Sequence, residues 1–168
     1  NKIPVTCKVN EWPDDFAAQR NLCLDVTRVT YGTPKFGDDY WVLMIDSDDT
    51  LSHLDRPFIE ESIAKAQLGS MLCWMDNGNG FFNCTQFFRL TREAVWQNPI
   101  HEYICTADAK GLPPEGKLTI KRGRSANHDR DPIRNVRIGR KFVERSPEDM
   151  RGRFYLARDL IECIAVPI

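Results

Sequence analysis

With 168 residues, 42% of them hydrophobic and 28% charged, the chain has the composition of an ordinary globular protein with material for a sizeable core. A formal net charge of −1 supplies no overall field toward nucleic acid or anionic lipid, so no nucleic-acid partner is expected. No apolar stretch approaches the ~18 residues that a membrane-spanning helix needs, and six cysteines without a CxxC pair argue against a zinc knuckle.

In chain order, residues 3–9 alternate weakly, as a short strand would. Asp14 is placed to cap a helix running to about Val29, with Asp15 in its first turn, where the helix dipole favours an acid. Gly32, Pro34 and Gly37 mark residues 31–39 as a loop. Residues 40–45 are a continuous apolar run, the pattern of a strand covered on both faces. Residues 60–67 read as a helix. Residues 70–90 read as a hairpin around Asn77-Gly-Asn-Gly80, and a turn centred between Gly78 and Asn79 sets Cys73 opposite Cys84. Two reduced thiols are expected there rather than a disulfide.

Residues 96–106 are short and mixed, residues 110–117 form a Gly/Pro-rich loop, and residues 118–121 predict one more strand leading to His128. The basic stretch from Lys117 to Arg145 is interrupted by Asp129, Asp131 and Glu144 and reads as a mixed-charge solvated face. Ser146-Pro-Glu-Asp149 predicts a helix start: a capping Ser, Pro at the first helical position, acids in the first turn. Strands mixed with helices and ending in this helix indicate the α/β class.

The chemistry concentrates in Asp46-Ser-Asp-Asp49, directly after Trp41-Val-Leu-Met-Ile45. Three carboxylates in four residues repel one another unless a cation neutralises them. In open α/β sheets, ligands bind beyond the carboxyl ends of strands. An extended backbone sends Asp46 and Asp48 to one side. Oxygen ligands alone suit Mg²⁺ or Mn²⁺, completed by water and substrate phosphates.

Asp46-Ser-Asp-Asp-Thr50-Leu resembles two families. One is the haloacid-dehalogenase-type phosphatases, in which Asp46 would be the nucleophile and Asp48 the acid/base. The other is the metal-dependent glycosyltransferases of the GT-A fold, with their Asp-x-Asp motif. The flanks favour the second. Trp12-Pro-Asp-Asp-Phe-Ala-Ala-Gln-Arg-Asn21 resembles a segment of family 2 glycosyltransferases, in particular the lipopolysaccharide-core glucosyltransferase-like branch. Trp96-Gln-Asn-Pro-Ile-His-Glu102, His128 and Pro147-Glu-Asp-Met-Arg-Gly-Arg-Phe-Tyr-Leu-Ala157 resemble later pieces of the same branch, in the same order. The likeness covers roughly residues 5–160. A phosphatase would need a second Asp pair after an apolar strand, which Asp129 and Asp131 do not follow.

The resemblance implies a GT-A-like, mixed and mainly parallel sheet flanked by helices, with a carboxy-terminal helix. It divides the chain into a partial catalytic domain over residues 1–140 and a helical extension over 141–168. The family's amino-terminal strand–helix–strand unit is not recognisable, which suggests a truncated version whose sheet a second copy could complete. The implied activity is inverting transfer of a sugar from a nucleoside-diphosphate sugar to a saccharide or lipid-linked acceptor. The implied location is the cytoplasm, peripheral to a membrane's inner face. A truncated, non-catalytic binding module is the alternative.

The implied roles are Asp48, Asp46 and His128 at a Mn²⁺ or Mg²⁺ ion, and Asp15, Arg20, Asp46 and Asp49 toward the donor. Glu102 would be the base for the acceptor hydroxyl, with His101 orienting it. Each has a plainer alternative: Asp15 as part of the helix start, Arg20 in a surface salt bridge, Glu102 as an exposed acid, His101 as a satisfied core histidine.

Overall fold

The computed structural model describes residues 7, 9–31, 40–66, 68–106, 110–113, 116–123 and 130–165. The chain is α/β. Among the described residues the elements run α1 (Phe16–Tyr31), β1 (Trp41–Leu43), β2 (Thr50–Leu54), α2 (Arg56–Ala66), β3 (Ser70–Asp76), β4 (Phe81–Arg89), β5 (Val95–Gln97), β6 (Tyr103–Cys105), β7 (Lys110–Gly111), β8 (Leu118–Lys121), α3 (Arg134–Arg145) and α4 (Met150–Ala165).

The main sheet has the order β1-β4-β3-β8-β2, with β7 pairing β3, and β5 and β6 form a separate antiparallel pair. The expectation of a mainly parallel sheet is corrected. β1–β4, β3–β4 and β2–β8 are antiparallel, and only β3–β8 and β3–β7 are parallel. The parallel sheet was implied by the resemblance, while the apolar run asked only that both faces of its strand be covered. An antiparallel edge strand meets that need equally well when a helix packs on each face. Val42 and Met44 pack with Ala17 and Leu24 of α1, Phe88, Trp96 and Ile104. Trp41, Leu43 and Ile45 pack on the other side with Ile59 of α2, Met71, Met75, Leu118 and Ile120.

The β3–β4 hairpin forms in the expected register, with Cys73 opposite Cys84, both free thiols. Met44 N–H donates to the Gln86 carbonyl at 2.8 Å, so the chain stays tied to β4 just before the acid cluster. β2, the strand after that cluster, is exposed along its length, so no apolar alternation announced it.

Helix starts differ from expectation in two places. Asp15, not Asp14, caps α1, its Oδ1 accepting the Ala18 N–H at 2.8 Å. The Asp14 carboxylate is engaged elsewhere, by the Trp12 indole at 3.1 Å, Arg137 at 3.1 Å and Lys141 at 3.0 Å. At the second start, Ser146 ends α3 and Asp149 caps α4, accepting the Gly152 N–H at 2.7 Å. An ionised cap also interacts with the helix dipole, which favours Asp149 over the hydroxyl.

The stretch read as a solvated mixed-charge face contains α3, which buries Val136, Ile138 and Gly139. α3 and α4 form a close helical hairpin. A Cβ on Gly139 would lie 3.3 Å from Leu156, and one on Gly152 would lie 2.5 Å from the Phe142 ring, so glycine is what permits this approach. The expected boundary at 140/141 falls inside α3. Residues 1–6, most of the 31–39 loop, and His128 lie outside the described residues. No described helix is long and apolar enough to cross a membrane.

Candidate functional site

The site is built around Arg20, which projects from α1 and is about nine-tenths buried. Its position follows from how α1 is seated. Asn21, the next residue, exchanges two hydrogen bonds with the Trp96 backbone, donating to its carbonyl at 2.9 Å and accepting its N–H at 2.8 Å. The Phe16 N–H donates to the Pro99 carbonyl at 2.9 Å. These bonds lock α1 against the β5–β6 hairpin, and the Arg20 guanidinium lies 4.9 Å from the centroid of the Trp96 ring.

From there Arg20 reaches two carboxylates. Its Nη2 donates to Asp46 Oδ1 at 2.8 Å and its Nε to Glu102 Oε1 at 2.7 Å. Burial alone would weaken the guanidinium's hold on its proton, but Glu102 and Asp46 outweigh that and raise its pKa above the ordinary value. Glu102 is itself mostly buried, with 14% of its side chain exposed. Glu102 Oε2 makes no hydrogen bond among the described residues.

Glu102 sits in a loop of uncommon backbone. Asn98 and His101 both adopt positive φ, +67° and +51°, a conformation that costs a non-glycine residue free energy unless its surroundings hold it. The surroundings of His101 do so. Its Nε2 lies 2.7 Å from Oδ2 of the buried Asp159, its ring stacks on Tyr155 at 4.5 Å, and Arg158 Nη2 reaches Nδ1 at 3.0 Å. The Arg151 guanidinium donates to its carbonyl at 3.2 Å. His101 thus ties α4 to the loop that presents Glu102, with both ring nitrogens already engaged.

The acid cluster divides into three environments. Asp46 faces Arg20, with Arg122 further off at 3.9 Å. Asp49 is turned inward with 2% of its side chain exposed, accepting the Gly123 N–H at 3.1 Å and lying 3.7 Å from Arg122. Burial pushes its pKa up, and the Gly123 and Arg122 contacts offset part of that. Asp48 is half-buried and makes no ion pair or hydrogen bond among the described residues. Gly123 packs so closely on the Asp48 backbone that a Cβ there would overlap its carbonyl.

Asp46, Asp48, Arg20, His101 and Glu102 line one cavity of about 950 Å³. Asp49 does not line it, and Asp15 borders a different cavity, lined by the start of α1, Trp96 and α3. Asp131 pairs with Arg137 at 2.7 Å and is not part of the site. No group of three His, Cys, Asp or Glu side chains able to hold a metal ion occurs among the described residues. Asp48 is the one carboxylate of the cluster without an ion pair or hydrogen bond among the described residues, so an ion there would need water and ligand phosphates for its other positions. The described side chains do not form a protein-only cage.

Several cavity residues carried no signal in the sequence. Arg122 follows β8, and nothing in the chain's order brings β8 near the acid cluster. Gln86 is 7% exposed, and its Oε1 has no hydrogen-bond partner among the described residues; in a strand that also holds Asn83 and Thr85 it does not stand out. Arg134, Arg151, Tyr155 and Arg158 arrive from the α3–α4 hairpin. Among known proteins, no family model matches the chain and no curated protein matches it.

Proposed function

We propose that the chain is a metal-dependent glycosyltransferase, similar to family 2 enzymes of the GT-A fold, that moves a sugar from a nucleoside-diphosphate donor to an acceptor hydroxyl. The observation that carries this reading is the Arg20 bridge. It joins the helix after Trp12, the acid cluster and the His101-Glu102 segment, three motifs separated by up to 82 positions, in one cavity.

Transfer needs charge stabilisation at the leaving diphosphate and a base at the acceptor. Asp48 would hold a Mn²⁺ or Mg²⁺ ion that, when bound, offsets the charge growing on the leaving group. Asp46 faces the donor, kept in place by Arg20. Glu102 accepts the proton of the acceptor hydroxyl as that oxygen bonds the anomeric carbon and the sugar–phosphate bond breaks, releasing the nucleoside diphosphate. Oε1 of Glu102 is fixed by Arg20, which leaves Oε2 for this proton. His101 acts by positioning Glu102, since its ring nitrogens face Asp159 and Arg158.

The test is a melting experiment with nucleoside diphosphates in the presence of Mn²⁺. A rise in Tm that needs both components and is lost in Asp48→Ala supports the reading. Glu102→Gln should keep that rise while transfer falls by about 10²-fold or more, the usual scale for a missing general base. A chain whose Tm responds to no nucleotide with Mn²⁺ is not this transferase.

A further inference from the structure

We propose that the cavity wall formed by the α3–α4 hairpin is an oxyanion site, built to take a phosphate monoester or a carboxylate of a ligand, apart from the acid cluster. The close approaches of Gly139 to Leu156 and of Gly152 to Phe142 fix the antiparallel register of the two helices. That register sets the start of α3, with Arg134, beside the later part of α4, with Arg158. Arg151 and Arg158 stand two turns apart on one stripe of α4, and all three arginines line the cavity.

Their guanidinium groups lie against aromatic rings, and of the three only Arg158 also approaches acids among the described residues. Arg151 lies 4.6 Å from the Tyr103 centroid and 4.7 Å from that of Tyr155. Arg158 lies 4.6 Å from the Tyr155 centroid, and Arg134 lies 5.0 Å from that of Phe16. Arg134 has no ion pair among the described residues. Nε of Arg134 is closed off from solvent without a hydrogen-bond partner among the described residues, and Nε of Arg158 has only the 3.5 Å approach of Glu162. The nearby carboxylates do not balance this charge. Asp159 is committed to His101 at 2.7 Å and only 3.4 Å from Arg158, while Glu162 lies 3.5 Å from Arg158 and is two-thirds exposed.

Three oriented cations stand against two carboxylates, Asp159 taken up by His101 and Glu162 two-thirds exposed, which leaves positive charge facing the cavity. A planar guanidinium fixed on an aromatic face is preorganised for two parallel hydrogen bonds to phosphate or carboxylate. The acid side has its own cations, Arg20 and Arg122. The arginine wall is therefore available to a second group, which under the transferase reading is an anion on the acceptor. That assignment rests on the transferase reading; anion binding does not.

The test is calorimetric titration of the metal-free, full chain at low ionic strength with inorganic phosphate and, separately, with malonate. One saturable site for either anion is expected, weakened about tenfold, near 1.4 kcal/mol, in Arg134→Gln and in Arg158→Gln. It should be unchanged in Arg140→Gln, an exposed arginine of the same helix that does not line the cavity. Arg158 also holds His101, so Arg134→Gln, whose guanidinium lies on the Phe16 ring and makes no ion pair among the described residues, decides if Arg158→Gln fails to fold. A response to one anion alone supports the site and names its preference. No binding of either anion, or equal weakening by Arg140→Gln, overturns the proposal. Because metal and nucleotide are absent, a positive result stands even if the Mn²⁺-dependent nucleotide shift fails, and the reverse also holds.

Discussion

Arg20 illustrates how one side chain can be structural and functional together. Its charge is desolvated and faces two acids that would otherwise repel each other across the cavity. Removing one partner of a buried, hydrogen-bonded ion pair typically costs about 3–5 kcal/mol. Asp46 keeps a third of its side chain exposed, so the lower end, about 3 kcal/mol, is expected for Arg20→Leu in urea unfolding. Arg20→Lys should recover only part of this, because a point ammonium cannot serve two carboxylates in the fork geometry of Nε and Nη2. Equal stabilities for the wild type and Arg20→Leu would show that the bridge contributes nothing to folding. The residue types at Asp46, Arg20 and Glu102 were legible in the sequence as candidates. Their mutual contact was not, because it depends on the docking of α1 onto Trp96, a pairing across 75 positions.

At the scale of elements, legibility followed the range of the forces involved. The β3–β4 register near the turn was readable because that turn is local, with Gly78 at a φ of +83°, whereas the bulge between Met71 and Leu72 and the length of β4 were not. The strand Leu118–Lys121 was expected with its observed bounds, yet its parallel seat beside β3 was not, since nothing local selects a partner strand. α3 went unread because its buried face is only Val136, Ile138 and Gly139 amid arginines, and glycine carries no hydrophobic signal. The hairpin also gives a chemical expectation. Burial of Cys73 pushes its thiol pKa up to about 12, and burial also raises that of Cys84, so both stay protonated near neutral pH. Iodoacetamide should therefore label the exposed Cys7, Cys23 and Cys163 in the native protein, and the buried Cys73 only after denaturation. Native labelling of Cys73 at the rate of Cys23, read by peptide mass spectrometry, would contradict the placement of β3 in the core.

At the scale of the whole molecule, the cavity lies between two bodies: the sheet with α1, and the α3–α4 hairpin. Their described polar attachments are few. His101 meets Asp159 and Arg158 at one end, and Asp14 meets Arg137 and Lys141 at the other. The second has a definite pH dependence. The Lys141 and Arg137 hydrogen bonds hold the Asp14 carboxyl below its usual value of 3.8, so the folded state binds its proton less readily than the unfolded chain. A depressed acid contributes stability that is fully present above the unfolded pKa and is lost as pH falls through the folded one. The difference in Tm between the wild type and Asp14→Asn should accordingly be flat from neutral pH down to about pH 5, then shrink toward zero below the ordinary carboxylate range. The Asp14 side chain is about a quarter exposed, so added salt should reduce the plateau as well. A difference that grew on acidification would mean that Asp14 is held protonated, and its pairing with the hairpin would then be wrong.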